Sequence, residues 1–134
     1  MILMGAAHYP ELWDSKVLTD DLTLMKKIKL NVVRVAEFTW SLIEPEEGRY
    51  DFEWLHKLVD IYGRNGIKVI LGTPTAAPPP WLIKKYPEVL PVDYEGIRAR
   101  YGIRREYCPN NPIYREFTCL LYTSDAADER SSVD

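Results

Sequence analysis

Glu37 is the residue of this chain best placed to do chemistry. It closes the apolar run Val32-Val33-Arg34-Val35-Ala36 and is followed by Phe38 and Trp40. Apolar surroundings at the end of a buried strand disfavour the charged form of a carboxyl, which is what a general acid requires. Cleavage of a glycosidic bond uses two such carboxylates, and Trp40 and Trp81 offer flat apolar faces that suit sugar rings. The same residues also fit a structural role. Arg34 sits among valines, so its charge has to be matched by a carboxylate or a ligand. Glu37, three residues on, is one such partner, and on the residues alone both readings stand.

Other side chains carry weaker signals. His8 is a lone histidine at the end of an apolar stretch, and Tyr9-Pro10 follows it. Cys108 precedes Pro109 with no cysteine or histidine at ligand spacing nearby, which reads as a buried thiol rather than a metal ligand. Arg98, Arg100, Arg104 and Arg105 cluster. Arg104 suits a hydrogen bond to a sugar hydroxyl, or it is simply solvated.

The elements that must position these residues follow from periodicity and breakers. Residues 2–7 are short, small and apolar, and read as a first strand. Asp14 or Ser15 caps a helix to about Leu30, with Leu18, Leu22, Met25 and Ile28 on one face. Residues 31–36 read as a second strand, apolar enough to be covered on both faces. Glu44 to Tyr50 is a polar loop. Asp51 caps a helix to about Asn65, with Leu55, Leu58, Val59 and Tyr62 inward and Gly66 at C′. Residues 67–71 are a third strand. The stretch Gly72 to Trp81 then holds four prolines and one glycine in ten residues. Proline lacks an N–H donor and fixes φ, so this reads as a stiff extended loop that holds Trp81 in place. Residues 83–105 show no periodicity. Asn111 caps a last helix, with Pro112 at its first position.

The order is strand, helix, strand, helix, strand, which implies parallel strands and right-handed crossovers. An open doubly wound sheet and a (β/α)₈ barrel both fit. No Gly-x-Gly-x-x-Gly follows the first strand. Polar and aromatic residues follow the C-terminal ends of all three strands: His8 and Tyr9, Glu37 and Trp40, Thr73 to Trp81. A barrel gathers those ends on its catalytic face, so the expected fold class is α/β, with a barrel favoured over an open sheet.

Composition bounds the partners. The 134 residues are 46% apolar and 28% charged with a net charge of −3, which suits one globular domain. No basic stripe appears, so nucleic acid is not expected. The start has no basic n-region, and no run approaches the roughly 20 apolar residues of a membrane span. Two cysteines make no disulfide framework. A cytoplasmic protein with no membrane partner is expected.

Several blocks in register resemble the start of glycoside hydrolase family 42, the bacterial β-galactosidases. They are His8 to Trp13, Asn31 to Ser41, Glu44 to Phe52, Gly72 to Pro79, Pro87 to Asp93 and Arg104 to Asn110. The resemblance implies a (β/α)₈ catalytic barrel and a retaining enzyme that releases terminal non-reducing β-D-galactose from β-galactosides. It implies that Arg104 contacts the galactose, and that Glu37 lies in the sugar subsite as a binding residue rather than a catalyst. It makes the proline loop with Trp81 one wall of that subsite, and Arg34 a support for the nucleophile region. Cys108 would be one of four cysteine ligands of a structural zinc in the members that bind it. No catalytic cofactor is implied, and a homotrimer is implied for the parent enzyme. The acid/base glutamate, after an asparagine on the fourth strand, and the nucleophile on the seventh would both fall beyond this chain. No catalytic residue is therefore expected within it. About three βα units with open strand edges are expected to be inactive and to fold poorly. A barrel glycosidase for β-xylosides or α-L-arabinosides, or a non-catalytic sugar-binding fragment, is the alternative.

Residues 119–134 look different. The string from Cys119 onward resembles the translation of a sequencing adapter joined in frame. The domain expectation is thus a partial barrel over 1–118 and a non-native, disordered tail over 119–134, with the last helix broken after Thr118.

Overall fold

The computed structural model describes residues 2–102 and 105–131, the last seven of these as backbone only. The chain divides into two compact units, Met1–Glu37 with Glu53–Thr73, and Phe38–Phe52 with Pro74–Asp134.

The first unit is built on three parallel strands in the order β1-β2-β3: β1 Gly5–Ala7, β2 Val32–Val35 and β3 Lys68–Leu71. Ala7, Arg34 and Ile70 share one row of the register, and Ala6, Val33 and Val69 the next. Helix α1, Ser15–Lys27, joins β1 to β2, and helix α3, Glu53–Arg64, precedes β3. Asp14 caps α1 by accepting from the amides of Lys16 at 2.9 Å and Val17 at 3.2 Å. The helix ends at Lys27, before the expected Leu30. Lys29 takes a left-handed φ of 59°, and the Leu30 amide turns back to the Met25 carbonyl. Of the expected inward positions Met25 is buried, while Ile28 lies past the last turn and is exposed. In α3, Leu55, Leu58 and Tyr62 are buried as the spacing predicts, and Gly66 has a φ of 73° at the helix end.

Strand β2 differs from expectation in one respect. Val33 and Val35 are fully buried on one face, but Arg34 is exposed, beside exposed Ala7 and Ile70. The sheet is covered on one side only in this row, and Arg34 lies on the uncovered side.

The second unit holds α2, Trp40–Ile43; α4, Pro80–Lys85; and α5, Pro112–Ser131. Here the proline stretch corrects the sequence reading. Pro74–Ala76 forms a 3₁₀ turn, and Pro80 opens α4 with Trp81 inside the helix. Proline is tolerated at the first helical position, where its missing N–H has no helical acceptor. The prolines leave backbone carbonyls in need of donors, and tyrosines supply them. Tyr114 donates to the Thr75 carbonyl at 2.8 Å and Tyr101 to that of Pro78 at 3.3 Å. Asn111 caps α5 by accepting from the Tyr114 amide at 3.0 Å. That helix runs on through Ser131 and does not break after Thr118. No glycine or proline follows Pro112 to stop it, and Leu121 is buried. Among the described residues no helix is long and apolar enough to cross a membrane.

Candidate functional site

In the first unit the chain turns sharply after β2. Ala36, 1% exposed, has a φ of 68°, a left-handed conformation that non-glycine residues rarely hold and that clusters at functional sites. The turn delivers Glu37 at the strand end. Its oxygens are held separately: Arg34 Nη2 lies 3.0 Å from Oε1, and the Tyr9 hydroxyl donates to Oε2 at 3.2 Å. The Glu37 side chain is 19% exposed and that of Arg34 48%. Gly72, at the end of β3, completes the corner. Its amide donates to the Val35 carbonyl at 2.8 Å. A Cβ there would sit 3.1 Å from that oxygen and 3.3 Å from the Glu37 Cα, so glycine lets β3 approach the turn.

The structure thus brings Arg34, Glu37 and Tyr9 together. Glu37 sits in a polar clasp, not among apolar rings, which is the ion-paired reading of the sequence. A carboxylate has about four acceptor positions, and two donors leave it capacity for hydroxyls at its exposed edge. Tyr9 was not singled out as a site residue. Its signals were its aromatic, polar-tipped side chain after the first strand and its place in the His8 to Trp13 block.

Beside this clasp lies a second group of ionisable residues. His8 Nε2 is 2.8 Å from Asp21 Oδ2, and His8 Nδ1 bonds the Tyr62 hydroxyl. Both oxygens of the Glu11 carboxyl are buried with no hydrogen-bond partner among the described residues. Burial pushes that carboxyl above its ordinary 4.5, against smaller lowering effects of its own backbone and the His8 charge. Between the unfolded and folded values the native state holds the extra proton. The stability this gives is present at low pH and lost as pH rises through the folded value. Glu11→Gln is therefore expected to raise Tm at pH 7, at about 4 °C per kcal/mol recovered. Below pH 4.5 the variant and the parent should melt together, and thermal melts at both pH values check it.

The second unit holds Trp81 and Cys108. The Trp81 indole N–H donates to the Glu44 carbonyl at 2.8 Å, and its ring meets Phe117 edge-on at 5.3 Å. Its polar end is therefore committed to packing. Arg104 lies outside the described residues. Cys108 is a free, half-buried thiol and Cys119 a free, exposed one. A structural zinc needs four ligands, and no three His, Cys, Asp or Glu side chains come together among the described residues. The described residues do not make a zinc centre.

Comparison with known proteins adds the context. The profile of a glycoside hydrolase family, described as beta-galactosidase, matches residues 7–127. A beta-galactosidase of Thermus thermophilus is 47% identical over 114 residues, covering 85% of this chain and 18% of that protein. The beta-galactosidase structure from the psychrophilic Marinomonas ef1 superposes with a TM-score of 0.86 at 41% identity, covering 93% of this chain and 19% of the other. The one from Bacillus circulans sp. alkalophilus gives 0.85 at 38%, covering 90% and 18%. The chain thus spans about a fifth of the length of the relatives it matches. This likeness decides between the two architectures that the strand order allowed. The three parallel strands are part of a (β/α)₈ barrel and not of an open doubly wound sheet.

Proposed function

Because the chain belongs to glycoside hydrolase family 42, we propose that it is the amino-terminal part of a retaining β-galactosidase barrel and that Glu37 binds the galactose. The observation that carries this is the clasp at the end of β2, where Arg34 and Tyr9 hold one carboxylate oxygen each at a partly exposed edge. Arg34 holds Oε1 of Glu37 in place. Tyr9 sets the orientation of the second oxygen. The carboxylate then accepts hydrogen bonds from sugar hydroxyls, and charge-assisted bonds of that kind are the stronger class. Arg104 is proposed as a further galactose contact and the ring of Trp81 as an apolar wall, both on the family resemblance. The general acid and the nucleophile are assigned to the part of the enzyme beyond this chain. The enzyme is proposed to act in the cytoplasm, as a homotrimer.

The test is a graft. Residues 1–118 replace the matching segment of the Thermus thermophilus relative, and the chimera is assayed on chromogenic substrates. It should prefer the β-galactoside over the β-xyloside and the α-L-arabinoside. Glu37→Gln in the chimera should lower kcat/KM by about 10–100-fold, the loss of one charged hydrogen bond. A preference for either pentoside, or an indifferent Glu37→Gln, overturns the reading. The 134-residue chain by itself should show no turnover above buffer.

A further inference from the structure

Asp21 and Tyr62 lie 13 and 54 residues from His8 in sequence, and the three come from different parts of the fold. Asp21 is on α1, Tyr62 on α3, and His8 lies just past β1. The His8 amide extends the β1–β2 ladder by donating to the Arg34 carbonyl at 2.9 Å, and the next residue, Tyr9, holds Glu37. We propose that Tyr62, His8 and Asp21 form a hydrogen-bond relay of fixed direction, and that His8 is thereby the positioning residue that sets where Tyr9 presents its hydroxyl to Glu37.

The direction follows from the donors available. Asp21 carboxylate can only accept, so His8 carries its proton on Nε2 and gives it to Oδ2. Nδ1 is then the acceptor, and Tyr62 donates to it. Tyr62 is fully buried. Burial, followed by the Asp21 and Glu11 charges, pushes its hydroxyl well above the ordinary phenol value, so it remains a donor. The two rings meet edge to face at 6.0 Å and 79°, which fixes the imidazole about its remaining torsion. With ring and backbone both pinned, Tyr9 leaves the strand end in one direction. The groups that face His8 are Asp21 from α1, Tyr62 from α3 and Glu11 from the 3₁₀ turn that follows Tyr9. A second proton on the ring would set N–H against the Tyr62 oxygen and reverse that link.

The inference concerns the site proposed above, but its test uses no sugar, so the two fail separately. The full chain is labelled with ¹⁵N-histidine and ¹³Cδ-glutamate, with His56→Gln and Glu37→Gln assigning the signals. At pH 8 the His8 Nδ1 should appear unprotonated and Nε2 protonated. Tyr9→Phe should move the Glu37 carboxyl line directly. Tyr62→Phe should move it in the same sense and by less, while the Glu53 line stays put. If Tyr62→Phe loses its near-UV signal, Asp21→Asn at the half-exposed end of the relay gives the same reading. A Glu37 line that moves with Tyr9→Phe alone overturns the inference. So does a His8 that shows averaged tautomers.

Discussion

Glu44→Ala is expected to destabilise the second unit by about 3–5 kcal/mol, the loss typical of removing one partner of a buried charged group. Glu44 is fully buried, and three N–H groups donate to it. Its Oε2 accepts from the Trp40 indole at 2.8 Å, its Oε1 from the Gly48 amide at 2.9 Å, and its backbone carbonyl from the Trp81 indole. Alanine keeps only the last. It leaves an indole N–H and an amide N–H without acceptors, and a void beside Trp40, itself fully buried. Each orphaned donor costs roughly 1–3 kcal/mol, and the void adds to that. Glu44→Gln is the informative control. Its amide keeps one acceptor and turns an N–H toward the other donor, so it should fall between parent and alanine. Urea unfolding followed by tryptophan fluorescence reads both. Equal midpoints for the three proteins would show that Glu44 is not the fastening point.

Gly5→Val is expected to cost the first unit about 3 kcal/mol, the upper end of overpacking penalties. A Cβ on Gly5 would land on the Val32 carbonyl oxygen and within 2.5 Å of the Val32 Cγ1. Val32 is paired with Gly5 in the register and again with Lys68. It therefore cannot give way without disturbing both ladders. Gly48 has nothing within 4 Å of an added Cβ, so Gly48→Ala separates crowding from the conformational cost of its φ of 75°. Thermal melts followed by far-UV circular dichroism check the pair. A Gly5→Val protein that melts like the parent would mean that β1 does not pack against β2 as described.

How much of this was legible depends on the range over which each signal acts. Asp14, Asn111 and Gly66 act within a turn of their own helix, and all three sit where local rules put them. The end of β2 at Glu37 was legible too, because an apolar run stopped there. The pairing of Arg34 with Glu37 was legible, but the cover on its face of the strand was misjudged. Hydrophobic neighbours on both sides say nothing about which face a strand residue takes, and here it faces out. Trp81 was read into a loop because prolines break helices. Pro80 instead begins one, a distinction that depends on a single position. The left-handed Ala36 had no signal at all, since alanine is not a residue that marks such a turn. The Tyr9–Glu37 bond and the His8 relay needed three dimensions, because their partners lie 13 to 54 residues apart.

The proline stretch has a consequence for anyone who studies its motion. Pro74, Pro78, Pro79 and Pro80 have no amide hydrogen, so deuterium uptake reports on only three amides, 75–77, across that segment. Hydrogen exchange would be nearly silent over the stretch whether it held or opened. The reporters are instead the phenols that supply its missing donors. Tyr114 and Tyr101 are tied to the Thr75 and Pro78 carbonyls, and their near-ultraviolet fine structure changes when those bonds break. Optical spectroscopy of two tyrosines, rather than exchange of backbone protons, is the instrument to which this loop is visible.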